Sequence, residues 1–370
     1  MESKKTYDIA VVFGDGVGPE VCGATVEVLK AAVANSKALN FIEYPGGVAT
    51  YRETGTALPE KTMEGCKSAD AILHGAAGLP NATYADGTEI GMDFGLVLRY
   101  ELDLYANLRY SKLFKGTTSH LRYAEPGDID FVVLRENVEG LYASKGRGML
   151  LRDEVATDSL MITRKGTERV ARMAFELSRK RNGAPADGKR RVTVCDKANV
   201  LRSYAFFRKV CTEVAKDYPD VELEHMLVDA CSMRLIQRPA QFDVMVTENT
   251  FGDILTDEAS MLAGSMGMLP SASLAGVPRE GVNIFGMYEP IHGSAPRRAG
   301  LDMANPIAII LSVAMMLRYS FGLAKEAQTV EAAVDQVLND GYRTYDIMDE
   351  GKTKVGTKQM GDLITEKVEG

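Results

Sequence analysis

The chain has 370 residues, 45% hydrophobic and 25% charged, with a formal net charge of −8 and a pI near 5.3. That length suits about two or three domains with cores of their own, and the acidic balance excludes a general nucleic-acid binder, which needs a basic surface. Five scattered cysteines (Cys22, Cys66, Cys195, Cys211 and Cys231) form no CxxC pair, so neither a disulfide framework nor a zinc ribbon is expected and a reducing, cytoplasmic setting fits.

The polar start MESKKTY runs straight into an apolar segment, which is not a signal-peptide pattern. In chain order, Ile9–Phe13 reads as a strand and Pro19–Ala34 as a helix. Ala71–His74 is a strand ending at a glycine, and Phe94–Leu104 a helix through Leu96, Leu98 and Leu102. Phe131–Leu134 and Arg191–Cys195 are strands around a charged amphipathic helix at Thr163–Lys180. Phe242–Val246 is a strand leading into a helix from about Gly252. The run Ile307–Leu317 is too short to span a bilayer and reads as a buried helix, so no membrane association is expected. Apolar runs alternating with helix-period segments predict an α/β protein with parallel strands.

The segment Gly14-Asp15-Gly16-Val17-Gly18-Pro19 imitates a dinucleotide fingerprint, in which glycines seat a pyrophosphate on a helix N-terminus. Its spacing is GxGxG rather than GxGxxG, and Pro19 occupies the first helical turn, so a tight strand-to-helix turn is the expected reading.

Asp253 and Asp257 are four apart in TENTFGDILTDEASMLAGSMG, which puts both carboxylates on one helix face. Like charges there repel unless a cation lies between them, and oxygen-only ligands suit Mg²⁺ or Mn²⁺. Taken alone, the spacing points more to a solvated acidic face, or to helix-start carboxylates favouring the dipole, than to a metal.

The run Asn249-Thr250-Phe251-Gly252-Asp253-Ile254-Leu255-Thr256-Asp257 resembles the N-x-x-G-D-x-x-S-D metal signature of the isopropylmalate, isocitrate, homoisocitrate and tartrate/D-malate dehydrogenases, with threonine for the usual serine. Further motifs keep the family's order from the Gly14–Glu20 loop to Gly361-Asp362. The resemblance implies a two-domain α/β fold. A large domain discontinuous in sequence, residues 1–104 and 264–370, holds the cofactor. A small domain, 105–263, carries the dimer contacts and the substrate and metal residues, with the active site between the two.

Read without that context, Arg99, Arg109 and Arg135 would be surface arginines paired with Glu101, Asp103 or Glu136. The resemblance makes them the arginines that clamp the substrate, and arginine forks suit the two carboxylates of a malate. It makes Tyr142 the proton donor and Lys197 the base, with Asn199 beside the substrate. A lysine buried beside a metal-bound hydroxyl has its pKa depressed enough to accept a proton. Asp229, in MLVDACS, corresponds to the third metal carboxylate beside Asp253 and Asp257. The implied enzyme is a homodimer with shared active sites, in which Lys197 and Asp229 serve the partner's site.

The implied cofactor loop is His292-Gly293-Ser294-Ala295-Pro296-Arg297-Arg298, with Asn305 downstream. NAD-using relatives place an aspartate just after that proline. Arg297 and Arg298 there, with Tyr345 in a TYD rather than TAD sequence, favour NADP over NAD, since a cation suits a 2′-phosphate. Substrate choice turns on the helix before Arg99. Asp93 and Gly95 replace the serine and asparagine of isocitrate enzymes, and an aspartate facing a third carboxylate is repulsive. Leu96 matches the apolar position of isopropylmalate and D-malate types. The expected reaction is therefore NAD(P)-dependent oxidative decarboxylation of a (2R)-malate-type hydroxy acid, first of all a 3-isopropylmalate-like one. D-malate or tartrate and isocitrate or homoisocitrate are the alternatives. RENVEGLY in place of RELTGG, and Tyr110 in place of a proline, leave the 3-substituent open. A non-catalytic regulatory subunit is a reading of another class; such chains lose one or more of the lysine, tyrosine and aspartates that are present here.

Overall fold

The computed structural model describes residues 6–279 and 281–370. The chain packs as two units. One comprises residues up to Leu102, Phe114–Thr118 and Gly264 onward; the other comprises Asp103–Leu113 and Ser119–Ala263.

In chain order the first unit opens with β1 (Thr6–Gly14), α1 (Gly18–Val33), β2 (Ala38–Glu43), α2 (Val48–Thr54), α3 (Glu60–Ser68), β3 (Ala71–Ala76) and α4 (Gly91–Glu101). The second unit supplies β4 (Ala106–Lys112), β5 (Asp130–Glu136), a hairpin of β6 (Met149–Leu151) and β7 (Val155–Thr157), α5 (Arg164–Lys180), β8 (Arg191–Asp196), α6 (Arg202–Ala215), β9 (Glu222–Leu227), α7 (Val228–Gln237), β10 (Val244–Thr247) and α8 (Asn249–Leu262). The chain then returns to the first unit with β11 (Pro270–Leu274), β12 (Gly286–Pro290), α9 (Ile307–Tyr319), α10 (Ala324–Asn339) and α11 (Thr357–Glu369).

Strands of the first unit run in the order β2-β1-β3-β12-β11, parallel except for the antiparallel β11–β12 pair. Those of the second run β4-β5-β10-β8-β9, parallel except for β4–β5. The mixed α/β architecture follows from composition. β3 and β8 are buried at every position, as parallel strands covered by helices on both faces must be. α9 is buried from Ile307 to Leu317, and no helix among the described residues is long and apolar enough to cross a membrane. The core of the second unit joins Phe131 and Val133 of β5, Phe242, Met245 of β10, Leu235 of α7, and Leu255, Ala259 and Leu262 of α8.

Two helices start earlier than periodicity suggests. α8 begins at Asn249 rather than near Gly252, because the Glu248 carboxylate caps it, accepting the Phe251 N–H at 2.8 Å. α4 spans Gly91–Glu101 rather than Phe94–Leu104; it stops where Asp103 takes a left-handed φ of 47°, a conformation that does not continue a helix. The Gly14–Pro19 segment is a packed turn. A Cβ at Gly14 would lie 1.8 Å from the Ala76 carbonyl oxygen and one at Gly16 would lie 1.9 Å from that of Ser294, while Asp15 accepts the Val48, Ala49 and Gly78 N–H groups at 2.8–3.0 Å.

Candidate active site

In the second unit, β4 and β5 pair antiparallel with Arg109 opposite Val133 and Arg135 opposite Asn107. α8 lies close against β5 at Gly252, where a Cβ would come within 2.7 Å of the Arg135 side chain. That approach brings both guanidiniums to the helix. Arg135 is 2% exposed and donates through Nη1 to Asp253 Oδ1, and through Nε to Asn249 Oδ1 at 2.9 Å. Arg109 donates to Asn107 Oδ1 at 2.8 Å and to Thr256 Oγ1 at 2.5 Å, and reaches Asp253 Oδ1 at 3.4 Å. Tyr142 donates to the other oxygen, Asp253 Oδ2, at 3.0 Å, and the Arg135 guanidinium lies 5.5 Å from its ring centroid. One carboxylate thus gathers two arginines and a tyrosine.

Burial, then the charge and hydrogen bond of Asp253, push the Tyr142 phenol up to about 12, which keeps it protonated. One helical turn from Asp253, the Asp257 carboxyl is raised by burial and by the charge of Asp253, with Arg109 and Arg135 opposing. Two carboxylates four residues apart on one helix face make an all-oxygen donor set that fits a hard divalent cation.

Lys197 follows the last residue of β8. Its Nζ lies 2.7 Å from Asp229 Oδ1 at the start of α7, and this hydrogen bond holds the Asp229 carboxyl below its usual range. The wholly buried Asp196 fixes the turn, accepting the Ala198 N–H at 2.8 Å and both Nε and Nη2 of Arg208 at 2.8 Å. Asn199 is exposed in the same turn. Asp229 is not grouped with Asp253 and Asp257 within one chain: among the described residues, no three His, Cys, Asp or Glu side chains are placed to share a metal.

In the first unit, Arg99 sits in the last turn of α4 and donates through Nη2 to Glu289 Oε1 at 2.7 Å. Leu96, one turn earlier, is buried. The loop from His292 to Arg298 is tied to the Gly14–Pro19 turn, with the Val17 N–H donating to the Ser294 carbonyl at 2.8 Å, and Ser294 Oγ donates to the Gly78 carbonyl. His292 Nδ1 contacts the Gly293 carbonyl at 2.9 Å. Ala295 adopts a left-handed φ of 37° ahead of the short turn Pro296–Arg298, strain of the kind that clusters at binding loops. Asn305 donates to Asp346 at 3.1 Å, and the Arg298 guanidinium lies 4.5 Å from the centroid of the Tyr345 ring. The side chains of Arg297 and Arg298 are exposed.

Residues 8–364 match the family model described as isocitrate/isopropylmalate dehydrogenase. The chain belongs to that family. It is 47% identical, over 98% of its length and 100% of the relative, to a 3-isopropylmalate dehydrogenase of Dehalococcoides mccartyi. It is 49% identical to that of Bacillus licheniformis, over 92% of this chain and 90% of the relative. Among solved structures, the isocitrate dehydrogenase of Methylococcus capsulatus matches with a TM-score of 0.85 at 34% identity, covering 98% of this chain and 100% of that one. The chain is therefore a decarboxylating dehydrogenase, as its motifs imply, and its fold is the mixed α/β fold of that family.

Three partnerships of this dehydrogenase are not specified by the motifs: Thr256 with Arg109, the Asp196–Arg208 pair behind Lys197, and Glu289 with Arg99. Thr256 stands where the signature has serine, so it alone carried a sequence signal.

Proposed function

We propose that this dehydrogenase oxidises and decarboxylates a 3-isopropylmalate-like 3-substituted malate, with NADP as the favoured cofactor and Mg²⁺ or Mn²⁺ as the metal. The observation that carries the reading is the convergence of Arg109, Arg135 and Tyr142 on Asp253. A substrate carboxylate is an isostere of that aspartate for the arginine forks, and Tyr142 is held beside it. When bound, the cation supplies a Lewis acid for the C2 oxygen and the nicotinamide accepts the hydride. Arg109, Arg135 and Arg99 orient the substrate carboxylates, Lys197 takes the C2 hydroxyl proton, and Tyr142 returns a proton to C3 after CO₂ leaves. Asp253 and Asp257 hold the metal with Asp229 of the partner subunit. Met92, Leu96 and Arg99 share one face of α4 at helical spacing, with Met92 45% exposed, which favours an apolar 3-substituent over a carboxylate. The test is cofactor reduction by the purified chain with isopropylmalate, D-malate, tartrate, isocitrate and homoisocitrate. Isopropylmalate is expected to give the highest kcat/KM; a preference for isocitrate would overturn the substrate assignment.

Exposed apolar side chains support the homodimer. Met149, Leu150, Leu151 and Val155 on the β6–β7 hairpin, Met233 and Ile236 on α7, and Ile254 and Met261 on α8 are all 43–61% exposed, apolar side chains that a partner subunit would cover. If the partner's Lys197 and Asp229 complete each site, Lys197→Met and Asp253→Asn homodimers are each inactive. Co-refolding them in equal amounts should restore about a quarter of wild-type activity, since about half the dimers are hybrids with one intact site of two. No recovery despite hybrid formation would place each site within one subunit.

Arg297 and the Arg298–Tyr345 stack support NADP, whose 2′-phosphate adds nearly two negative charges. Because both arginines are exposed, the preference is expected to be about tenfold or somewhat more rather than absolute. Arg297→Asp should reverse the ratio of catalytic efficiencies with NADP and NAD, measured at fixed metal and salt; an unchanged ratio would exclude these arginines from the cofactor site.

A further inference from the structure

Glu289 is the last residue but one of β12 and stands three residues ahead of His292, where the cofactor loop begins. Its side chain is 9% exposed, and both oxygens are taken: Oε1 by Arg99 Nη2 at 2.7 Å and Oε2 by His74 Nδ1 at 2.9 Å. A carboxylate only accepts, so His74 Nδ1 carries a hydrogen and donates it. The other ring nitrogen, Nε2, is buried without a hydrogen-bond partner, and the ring packs on Phe94 at 4.6 Å between centroids. The main chain of Glu289 is equally constrained: it pairs with Ser271 of β11, and its carbonyl accepts from Ser312 Oγ at 3.0 Å.

We infer that Glu289 is a positioning residue for Arg99, a buried counter-ion, itself fixed by His74, that presets the guanidinium for substrate and links it to the start of the cofactor loop. This rests on the reading of Arg99 as a substrate arginine. Burying a carboxylate is costly unless charge partners and hydrogen bonds compensate. Burial alone would raise the Glu289 carboxyl, but the Arg99 charge and the His74 hydrogen bond hold it well below the usual carboxylate range, so it stays an anion for Arg99. An arginine otherwise loses much rotamer freedom when it engages a ligand; one anchored through Nη2 loses less and presents a fixed fork. The anchor belongs to the strand that continues into His292, so displacing it disturbs the substrate arginine and the cofactor loop together.

The test is a double-mutant cycle of Arg99→Met and Glu289→Gln, with KM for the hydroxy acid, kcat and melting temperature measured for each protein. Glu289→Gln should raise the hydroxy-acid KM on the order of tenfold and change kcat less. In the Arg99→Met background the same substitution should leave KM unchanged and recover melting temperature, because it removes a buried carboxylate that has lost its partner. An independent KM increase in that background, or a melting-temperature loss with KM unchanged in the single variant, would overturn the positioning role. The Arg99→Met arm is separate: if its KM equals that of wild type, the substrate-arginine reading fails, and this inference fails with it. If Glu289→Gln does not fold, His74→Leu probes the same anchor from its other side. A smaller KM increase that vanishes alongside Arg99→Met supports the role, and an unchanged KM contradicts it.

Discussion

Replacing Lys197 with methionine is expected to abolish oxidation of the hydroxy acid, with kcat lower by about 10²–10⁴-fold, the usual contribution of a positioned acid or base. Methionine keeps the length and apolar stem of lysine and removes only the amine. Lys197 reaches Asp229 at 2.7 Å from a turn that the buried Asp196 and Arg208 hold rigid, so the side chain changes while its mounting remains. Tyr142→Phe should behave differently. Its hydroxyl bonds Asp253 Oδ2 and is pushed up to about 12, so it stays protonated: it has a proton to give to carbon after CO₂ has left and cannot take one from the substrate. With a pre-formed 3-carboxylated 2-keto acid, Lys197→Met should retain most decarboxylation and proton delivery, whereas Tyr142→Phe should lose most of it. Equal losses in the two variants would contradict the division of roles.

Asp253→Asn is the second change with a large expected effect. Asp253 accepts from Arg135, Arg109 and Tyr142 and lies one turn from Asp257. Asparagine preserves the volume and one acceptor oxygen but removes the charge and puts an amide donor among donors. Metal affinity should fall by about a hundredfold or more, since weakening the groups that merely support a ligand already costs about 10–100-fold. Activity should fall with it and recover only in part at high Mn²⁺. The two arginines lose their common counter-ion, so thermal stability without metal should fall as well. Manganese binding followed by titration of the purified variant checks this directly. Wild-type affinity for the metal would remove Asp253 from the ligand set.

Part of the fold is legible locally: β1, β3, β5, β8, β10, α1, α4, α5, α8 and α9, and the paired carboxylates, each depend on local spacing. Asp253 and Asp257 share a face at any helix register, and the buried runs of β3, β8 and α9 announce themselves by their apolar continuity. Element ends were less readable, because they depend on side chains outside the periodic pattern: Glu248 starts α8 by capping, and Asp103 ends α4 by its left-handed backbone. Arg109 and Arg135 acquired roles only through family resemblance, since an isolated arginine pairs with any nearby acid. Glu289 gave no signal at all. It lies 190 residues from Arg99, near the end of β12 and just ahead of a loop whose conspicuous residues are histidine, serine and proline, and the pairing of β12 with β3 is what brings it beside His74.

The most direct test of the central assignment is to incubate the purified enzyme with 3-isopropylmalate, NADP and Mn²⁺ and to measure reduced cofactor and CO₂ together, with a chelated control. Equal amounts of both are expected, formed only with metal present. Metal-independent cofactor reduction, or reduction without CO₂ release, would contradict it.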